Sequence, residues 1–259
     1  MSSHMIELLS PTEIARGAET GALVADILQA AKARASVGTN LLELDALARD
    51  MMLAAGAESC YVDYEPSFGE GPFGYYICTS VNDAVLHGKP HDYALHDGDL
   101  LTLDLAISLQ GIVADAAISF FVGTPKQEGL DLIDATERAL AAGIEAARPG
   151  GRIGDIASAI GTILQGAGYP VNLEFGGHGV GSTMHQDPHI PNWGKAGRGW
   201  KLRPGILLAI EPWAMLDTAE LVTDADGWTL RSATGCLTAH TEHTVAITED
   251  GPRILTSAN

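Results

Sequence analysis

Gly98-Asp-Leu-Leu-Thr-Leu-Asp104 returns 107 residues later as Gly205-Ile-Leu-Leu-Ala-Ile-Glu211. Each heptad opens on glycine, runs through apolar residues and closes on a carboxylate. Upstream, a helix-like stretch ending Ala55-Gly56-Ala57 is matched by one ending Ala167-Gly168-Tyr169, an offset of 112. Two correspondences at nearly equal offsets read as a duplicated α/β fold about a pseudo-axis. Such an axis brings Asp104 and Glu211 to equivalent places.

The flanks follow the same order twice. Ser10-Pro11-Thr12-Glu13 is a capping box with proline in the first turn, and opens a helix to about Arg34. A second helix, 41–55, stops at Gly56, and the Gly-, Pro- and aromatic-rich residues 66–74 form a loop. Strands follow at 100–108 and 112–122, joined by a turn near Leu109-Gln110-Gly111. The order restarts with helices at 130–147 and 153–165, then strand-like segments to Leu255. Residues 1–9 are expected to form an N-terminal arm, the first four a vector-derived leader, and 10–259 a single domain.

Composition narrows the function. The 259 residues are 46% hydrophobic, and 15 Lys+Arg against 33 Asp+Glu give a net charge of −18. A surface so acidic on average repels phosphate backbones, so no direct nucleic-acid binding is expected. The best membrane candidate, 206–216, is broken by Glu211 and Pro212, so no membrane span is expected either. Cys60, Cys78 and Cys236 are few, odd in number and scattered. With no basic, then apolar, leader at the start, they fit a cytoplasmic protein.

The hairpin carries the chemistry. With Leu109 and Gln110 as its two-residue turn, Asp104 and Asp115 face each other among apolar neighbours, and like charges so placed repel. Either the register differs and both point to solvent, or a cation sits between them. Glu211 and Glu242 lie in the corresponding strands of the second half, inside apolar runs. Four converging carboxylates suit divalent ions. Gly176-Gly-His178-Gly-Val-Gly-Ser-Thr-Met-His185 offers a histidine ligand in His178. A core histidine and a weak phosphate-cradling glycine run are the plainer readings, but beside the four carboxylates a nitrogen ligand is the more economical one. On one strand, two histidines seven apart face opposite sides.

These residues, with Ser80-Val-Asn-Asp-Ala-Val-Leu-His87-Gly, Ile210-Glu211-Pro212 and Thr241-Glu242-His243-Thr244, resemble the type I methionine aminopeptidases in order and spacing. The resemblance runs from about Pro11 to Thr256. It implies a pita-bread fold, α/β (α+β), with two pseudo-symmetric halves and a central curved antiparallel sheet flanked by helices. It implies two divalent ions (Co, Mn, Fe or Zn) on Asp104, Asp115, His178, Glu211 and Glu242. A metal-bridging hydroxide would attack the first peptide bond and release N-terminal methionine, favouring small second residues. Glu211 would shuttle a proton, His185 donate to the oxyanion, and His87 contact the peptide nitrogen or help proton transfer. Cys78, Met184, Trp228 and Phe73 would line the methionine pocket. Nascent chains beginning with Met, a transient ribosome contact and a monomer are implied as well. Gln186, Met184 and Thr241 depart from the family's common Glu, Phe and aromatic. The competing readings are a dinuclear aminopeptidase for X-Pro bonds and a non-catalytic pita-bread binding protein.

Overall fold

The computed structural model describes residues 6–67 and 69–257; the leader expected at 1–4 lies outside them. Ser10 caps α1 (Pro11–Arg34): its hydroxyl accepts the Glu13 N–H at 3.3 Å, and the Glu13 carboxylate accepts the Ser10 N–H at 2.7 Å. Asn40 and Glu43 build the same box at the head of α2 (Leu41–Ala54). The first half continues through β1 (Glu58–Ser59), β2 (Cys78–Val81), β3 (Ala84–Leu86), β4 (Asp99–Leu109) and β5 (Ile112–Val122). The second half begins, like the first, with two helices, α3 (Gln127–Ala146) and α4 (Ile153–Gly166). Its strands are β6 (Gly176–Val180), β7 (Gln186–Pro191), β8 (Leu207–Ile210), β9 (Trp213–Met215), β10 (Leu221–Thr223), β11 (Leu230–Ser232), β12 (Thr238–His240), β13 (His243–Thr248) and β14 (Gly251–Ile254).

All pairings between these strands are antiparallel. β4 lies between β2 and β5, and β8 between β6 and β13, so the two heptads occupy equivalent central strands. Their apolar runs are continuous because both faces are covered. Leu101, Leu103, Leu105 and Ile107 of β4 meet Val24, Ile27, Leu28, Leu44 and Met52 of α1 and α2. Burying each of those four strand residues stabilises the fold by about 1.5–3 kcal/mol. A slip of one residue would put Asp104 and Thr102 in their place, so the register is strongly specified. In the second half, Ile156 and Ile160 of α4 and Leu140 of α3 pack on Leu208, Ile210 and Val245.

The hairpin register differs from the expected one. Gln110 and Gly111, not Leu109 and Gln110, form the turn, with φ of 53° and 78°. Two successive left-handed residues match the twist of the strands, and Gly111 adopts that conformation without a Cβ penalty. Asp104 therefore faces Ala117, and Asp115 faces Ala106. The shift of two residues preserves the face. Both aspartates remain on the side of the sheet opposite α1 and α2, as a diagonal pair.

The free edge of β5 meets the second half along a seam. The Asp115 N–H donates to Thr244 Oγ1, which donates to the Asp115 carbonyl, both at 2.8 Å. Ala117 and Glu242 exchange backbone bonds of 3.3 and 3.0 Å. Ser119 Oγ donates to the His240 carbonyl at 2.7 Å and accepts its N–H at 3.0 Å. This seam sets Asp115 beside Glu242. No helix among the described residues is long and apolar enough to cross a membrane.

Candidate metal centre

Asp104 and Asp115 project from adjacent strands, Glu211 follows β8, and Glu242 precedes β13 on the seam. His178 comes from β6, beside β8. His178 Nε2 lies 3.7 Å from Glu211 Oε1 and 3.9 Å from Asp115 Oδ2. Its Nδ1 is 3.0 Å from the Gly179 carbonyl oxygen. A carbonyl only accepts, so Nδ1 carries the proton and the Nε2 lone pair faces the carboxylates. Burial pushes this imidazole down to about 3, which keeps it neutral at physiological pH.

The carboxylates bear the opposite strain. Burial pushes Asp104 up to about 6 and, with the charge of Asp104 added, Glu211 up to about 8. Asp115 and Glu242 are held well above the carboxylate range by burial and then by their acidic neighbours. Among the described residues, no Lys or Arg forms an ion pair with any of the four. Asp115 Oδ1 and Glu242 Oε1 are buried without a hydrogen-bond partner. Three donor sets lie with their atoms within 4.8 Å: Asp104/Asp115/Glu242, His178/Glu211/Glu242, and Asp115/His178/His185. Orphaned carboxylate oxygens beside a neutral imidazole fit divalent cations.

His178 and His185 do not face opposite sides as one strand would require. β6 ends at Val180 and the chain turns before β7, which brings the two rings to 4.3 Å between centroids. The glycine run is a packing device. A Cβ on Gly177 would sit 2.3 Å from the Ala209 carbonyl, and one on Gly179 2.1 Å from that of Asp187. His185 lies at the mouth, its Nδ1 2.6 Å from the Tyr64 hydroxyl. The preceding loop is tied to the N-terminal arm. Glu7 Oε2 accepts from Ser182 N at 2.8 Å and from Gln186 Nε2 at 3.1 Å. The departure at Gln186 thus has a use, since a carboxylate there could not donate to Glu7.

One cavity collects Phe73, Cys78, His87, Met184, His185 and Trp228 with the acidic cluster. The Phe73 and Trp228 rings meet edge to face at 5.2 Å, and Trp228 Nε1 donates to the Gly71 carbonyl at 3.2 Å. His87 holds a left-handed φ of 56°, a conformation costing about 1–3 kcal/mol that accumulates at functional sites. Burial pushes His87 down to about 4.

Sequence reasoning missed several residues. Tyr61 donates to Asp104 Oδ1 at 2.6 Å, and Tyr64 and Leu86 line the same cavity. His240, 1% exposed, places Nε2 3.5 Å from Glu211 and 3.6 Å from Glu242. Its position two residues before Glu242, inside an apolar stretch, was the available signal. Tyr61 and Tyr64, in a loop without periodicity, carried none.

Comparison with known proteins agrees with this geometry. The model of Metallopeptidase family M24 matches residues 17–249. The methionine aminopeptidase of Aquifex aeolicus is 37% identical over 254 residues, which cover 97% of this chain and 98% of that protein. The methionine aminopeptidase structure from Thermotoga maritima superposes with a TM-score of 0.93 at 33% identity, covering 98% of this chain and 100% of that one. Prolidase from Pyrococcus furiosus shares only the fold, with a TM-score of 0.76 at 21% identity over 97% of this chain and 66% of that one. With a buried cluster of carboxylates and an imidazole at the seam of two equivalent halves, this pita-bread chain belongs to metallopeptidase family M24, among the methionine aminopeptidases.

Proposed function

We infer that this chain removes the N-terminal methionine of proteins and peptides by metal-dependent hydrolysis of the first peptide bond. The observation that carries the inference is the buried set of four carboxylates and His178 opening into an apolar, sulfur- and aromatic-lined cavity. Full-length similarity to methionine aminopeptidases agrees with it.

Asp104, Asp115, His178, Glu211 and Glu242 would hold two ions, with Mn, Co, Fe and Zn all suited to the donors. A pair of divalent ions bound there supplies Lewis-acid chemistry, acidifying the attacking water and polarising the scissile carbonyl. Burial raises the Tyr64 phenol, so it keeps its proton, and with that hydroxyl as donor His185 Nδ1 would accept at 2.6 Å. His185 then carries its own proton on Nε2, where it can donate to the carbonyl oxygen as negative charge develops. Neutral His87, in the lining of the same cavity, would hold the peptide nitrogen. Glu211 passes a proton to the leaving amine. Phe73, Cys78, Met184 and Trp228 give the methionine thioether polarisable and aromatic contacts. Phe175, 5.9 Å from the His87 ring, narrows the exit side and supports a preference for small second residues. Three free cysteines support action in the reducing cytoplasm, on chains as they are made.

The deciding experiment strips the enzyme with chelator, restores Mn or Co, and follows free amino acid from Met-Ala-Ser and Ala-Pro-Ser. Metal-dependent methionine release with Ala-Pro-Ser untouched is the expected result. Cleavage of Ala-Pro-Ser instead would replace this reading by an X-Pro peptidase, and no release from either by a binding protein.

A further inference from the structure

The net charge of −18 hides a surface of the opposite sign. Residues 148–155 and 192–204 hold six of the 15 Lys and Arg residues (Arg148, Arg152, Lys195, Arg198, Lys201 and Arg203) and one carboxylate, Asp155. The fold sews these segments together. Gly150 N donates to Leu202 O at 2.9 Å, Ile153 N to Trp200 O at 3.0 Å, Gly154 N to Arg198 O at 2.9 Å and Leu202 N to Gly151 O at 2.8 Å. Asp155 is spent inside the assembly, accepting from Arg152 N at 2.8 Å and Gly197 N at 2.7 Å.

All six cations are exposed. Among the described residues, none of the six is in an ion pair, whereas Arg16, Arg34, Arg49, Arg138 and Arg231 each meet a carboxylate. Arg148 and Arg152 bond only backbone carbonyls, those of Glu145 and Gly199. Two tryptophans stand in the same segments, Trp193 46% and Trp200 47% exposed. Trp200 walls a groove of about 200 Å³ with Ile6, Leu8, Lys201 and Arg203.

Unpaired, arginine-rich charge beside an open indole face suits a phosphate backbone whose bases can stack. At physiological salt the Debye length is about 8 Å, so the patch acts at contact while the acidic remainder is screened. A flat anionic membrane would press that remainder against its own charge. A narrow nucleic-acid strand can follow the patch without covering the whole acidic face. We propose that this face docks RNA through its phosphates, with Trp200 stacking on a base. The net charge of −18 does not display this patch, because 148–155 and 192–204 become one surface only on folding.

Fluorescence anisotropy of a labelled single-stranded RNA of about 20 nucleotides tests the proposal on the full chain, with co-sedimentation on 70:30 phosphatidylcholine:phosphatidylglycerol vesicles alongside. With four to six phosphates neutralised, affinity should fall roughly 10²-fold between 50 and 200 mM salt. Arg198→Glu with Lys201→Glu should weaken binding at least about tenfold and flatten the salt dependence by about 1.4 in log–log slope. Trp200→Ala should weaken it at least about fivefold. The control pair Lys32→Glu with Lys126→Glu makes the same change in net charge away from the patch and should leave affinity within about twofold. Methionine release from a tripeptide should be unchanged in all these variants, which shows that they fold. No RNA binding at 50 mM salt, equal weakening by the control pair, or tighter binding to vesicles than to RNA would each overturn the proposal.

Discussion

Thr244→Val tests whether the seam, and not only the metal ligands, builds the site. Valine keeps the shape of threonine and removes the hydroxyl. That hydroxyl accepts the Asp115 N–H and donates to the Asp115 carbonyl, both at 2.8 Å, in a residue with no exposed surface. Both Asp115 groups point away from β4, so the variant strands a buried donor and a buried acceptor. Each costs about 1–3 kcal/mol. Relaxation recovers part of the sum, leaving about 2–4 kcal/mol. With an unfolding entropy of about 2.1 cal/mol/K per residue, the melting temperature of metal-free protein should fall by roughly 4–8 °C. Thr244→Ser loses a methyl, worth about 1 kcal/mol, but keeps both hydrogen bonds. It should melt only about 2 °C low. The isosteric variant is therefore expected to be the worse one. Calorimetric melting in chelator measures the order, and titration with Mn should show the valine variant about 10–100-fold weaker, because Asp115 is no longer held. A valine variant within about 1 °C of wild type, or more stable than the serine one, would refute the reasoning.

His178→Ala should abolish tight binding of one ion and lower activity with it; unchanged metal stoichiometry by titration would remove His178 from the ligand set. His185→Ala should slow turnover by about 10²–10³-fold with metal binding nearly intact, measured as kcat against KM. Gln186→Glu sets a second carboxylate against Glu7 and should reduce kcat several-fold by loosening the loop before His185. Adding Glu7→Gln should restore most of that loss, and a double variant as slow as the single one would show that the contact does not matter. Stability of metal-free protein should fall with pH between pH 7 and 8. Glu211, raised to about 8 by burial and then by the charge of Asp104, keeps its proton in the folded state and loses it on unfolding. The slope from one such group approaches about −1.4 kcal/mol per pH unit. Buried His87, His178 and His240, lowered to about 4, 3 and 3, act with the opposite sign, but only below their unfolded pKa of about 6.5. Asp115 and Glu242, also held well above the carboxylate range, act with the same sign as Glu211. Denaturant titration in chelator should therefore lose at least about 1 kcal/mol across that unit, and saturating Mn should abolish the loss. A flat or rising metal-free profile would contradict it.

How much of this was legible beforehand depends on where the information sits along the chain. The capping box at Ser10 is local, and α1 ends at Arg34, as expected for it. The paired heptads announced two equivalent halves because a strand covered on both faces needs an uninterrupted apolar run. The shared face of Asp104 and Asp115 followed from the even spacing of strand residues. It survived a turn misplaced by one residue, which moves the register by two. Periodicity records which face a residue takes and is indifferent to such shifts.

Contacts between distant segments are a different matter. The meeting of His178 with His185, the seating of His240 behind two glutamates, the Tyr61 and Tyr64 hydroxyls and the hold of Thr244 on Asp115 leave no repeat in the sequence. Charge behaves the same way, since −18 is a sum over the chain and the cations of 148–155 and 192–204 count as a surface only when brought together. The sequence by itself determined the helices, the strands, their buried faces and the chemical types at the centre. The tertiary structure alone decided which of those groups touch, because the relative placement of elements is set by side-chain packing across the whole core, while spacing along the chain specifies only each element's own periodic geometry.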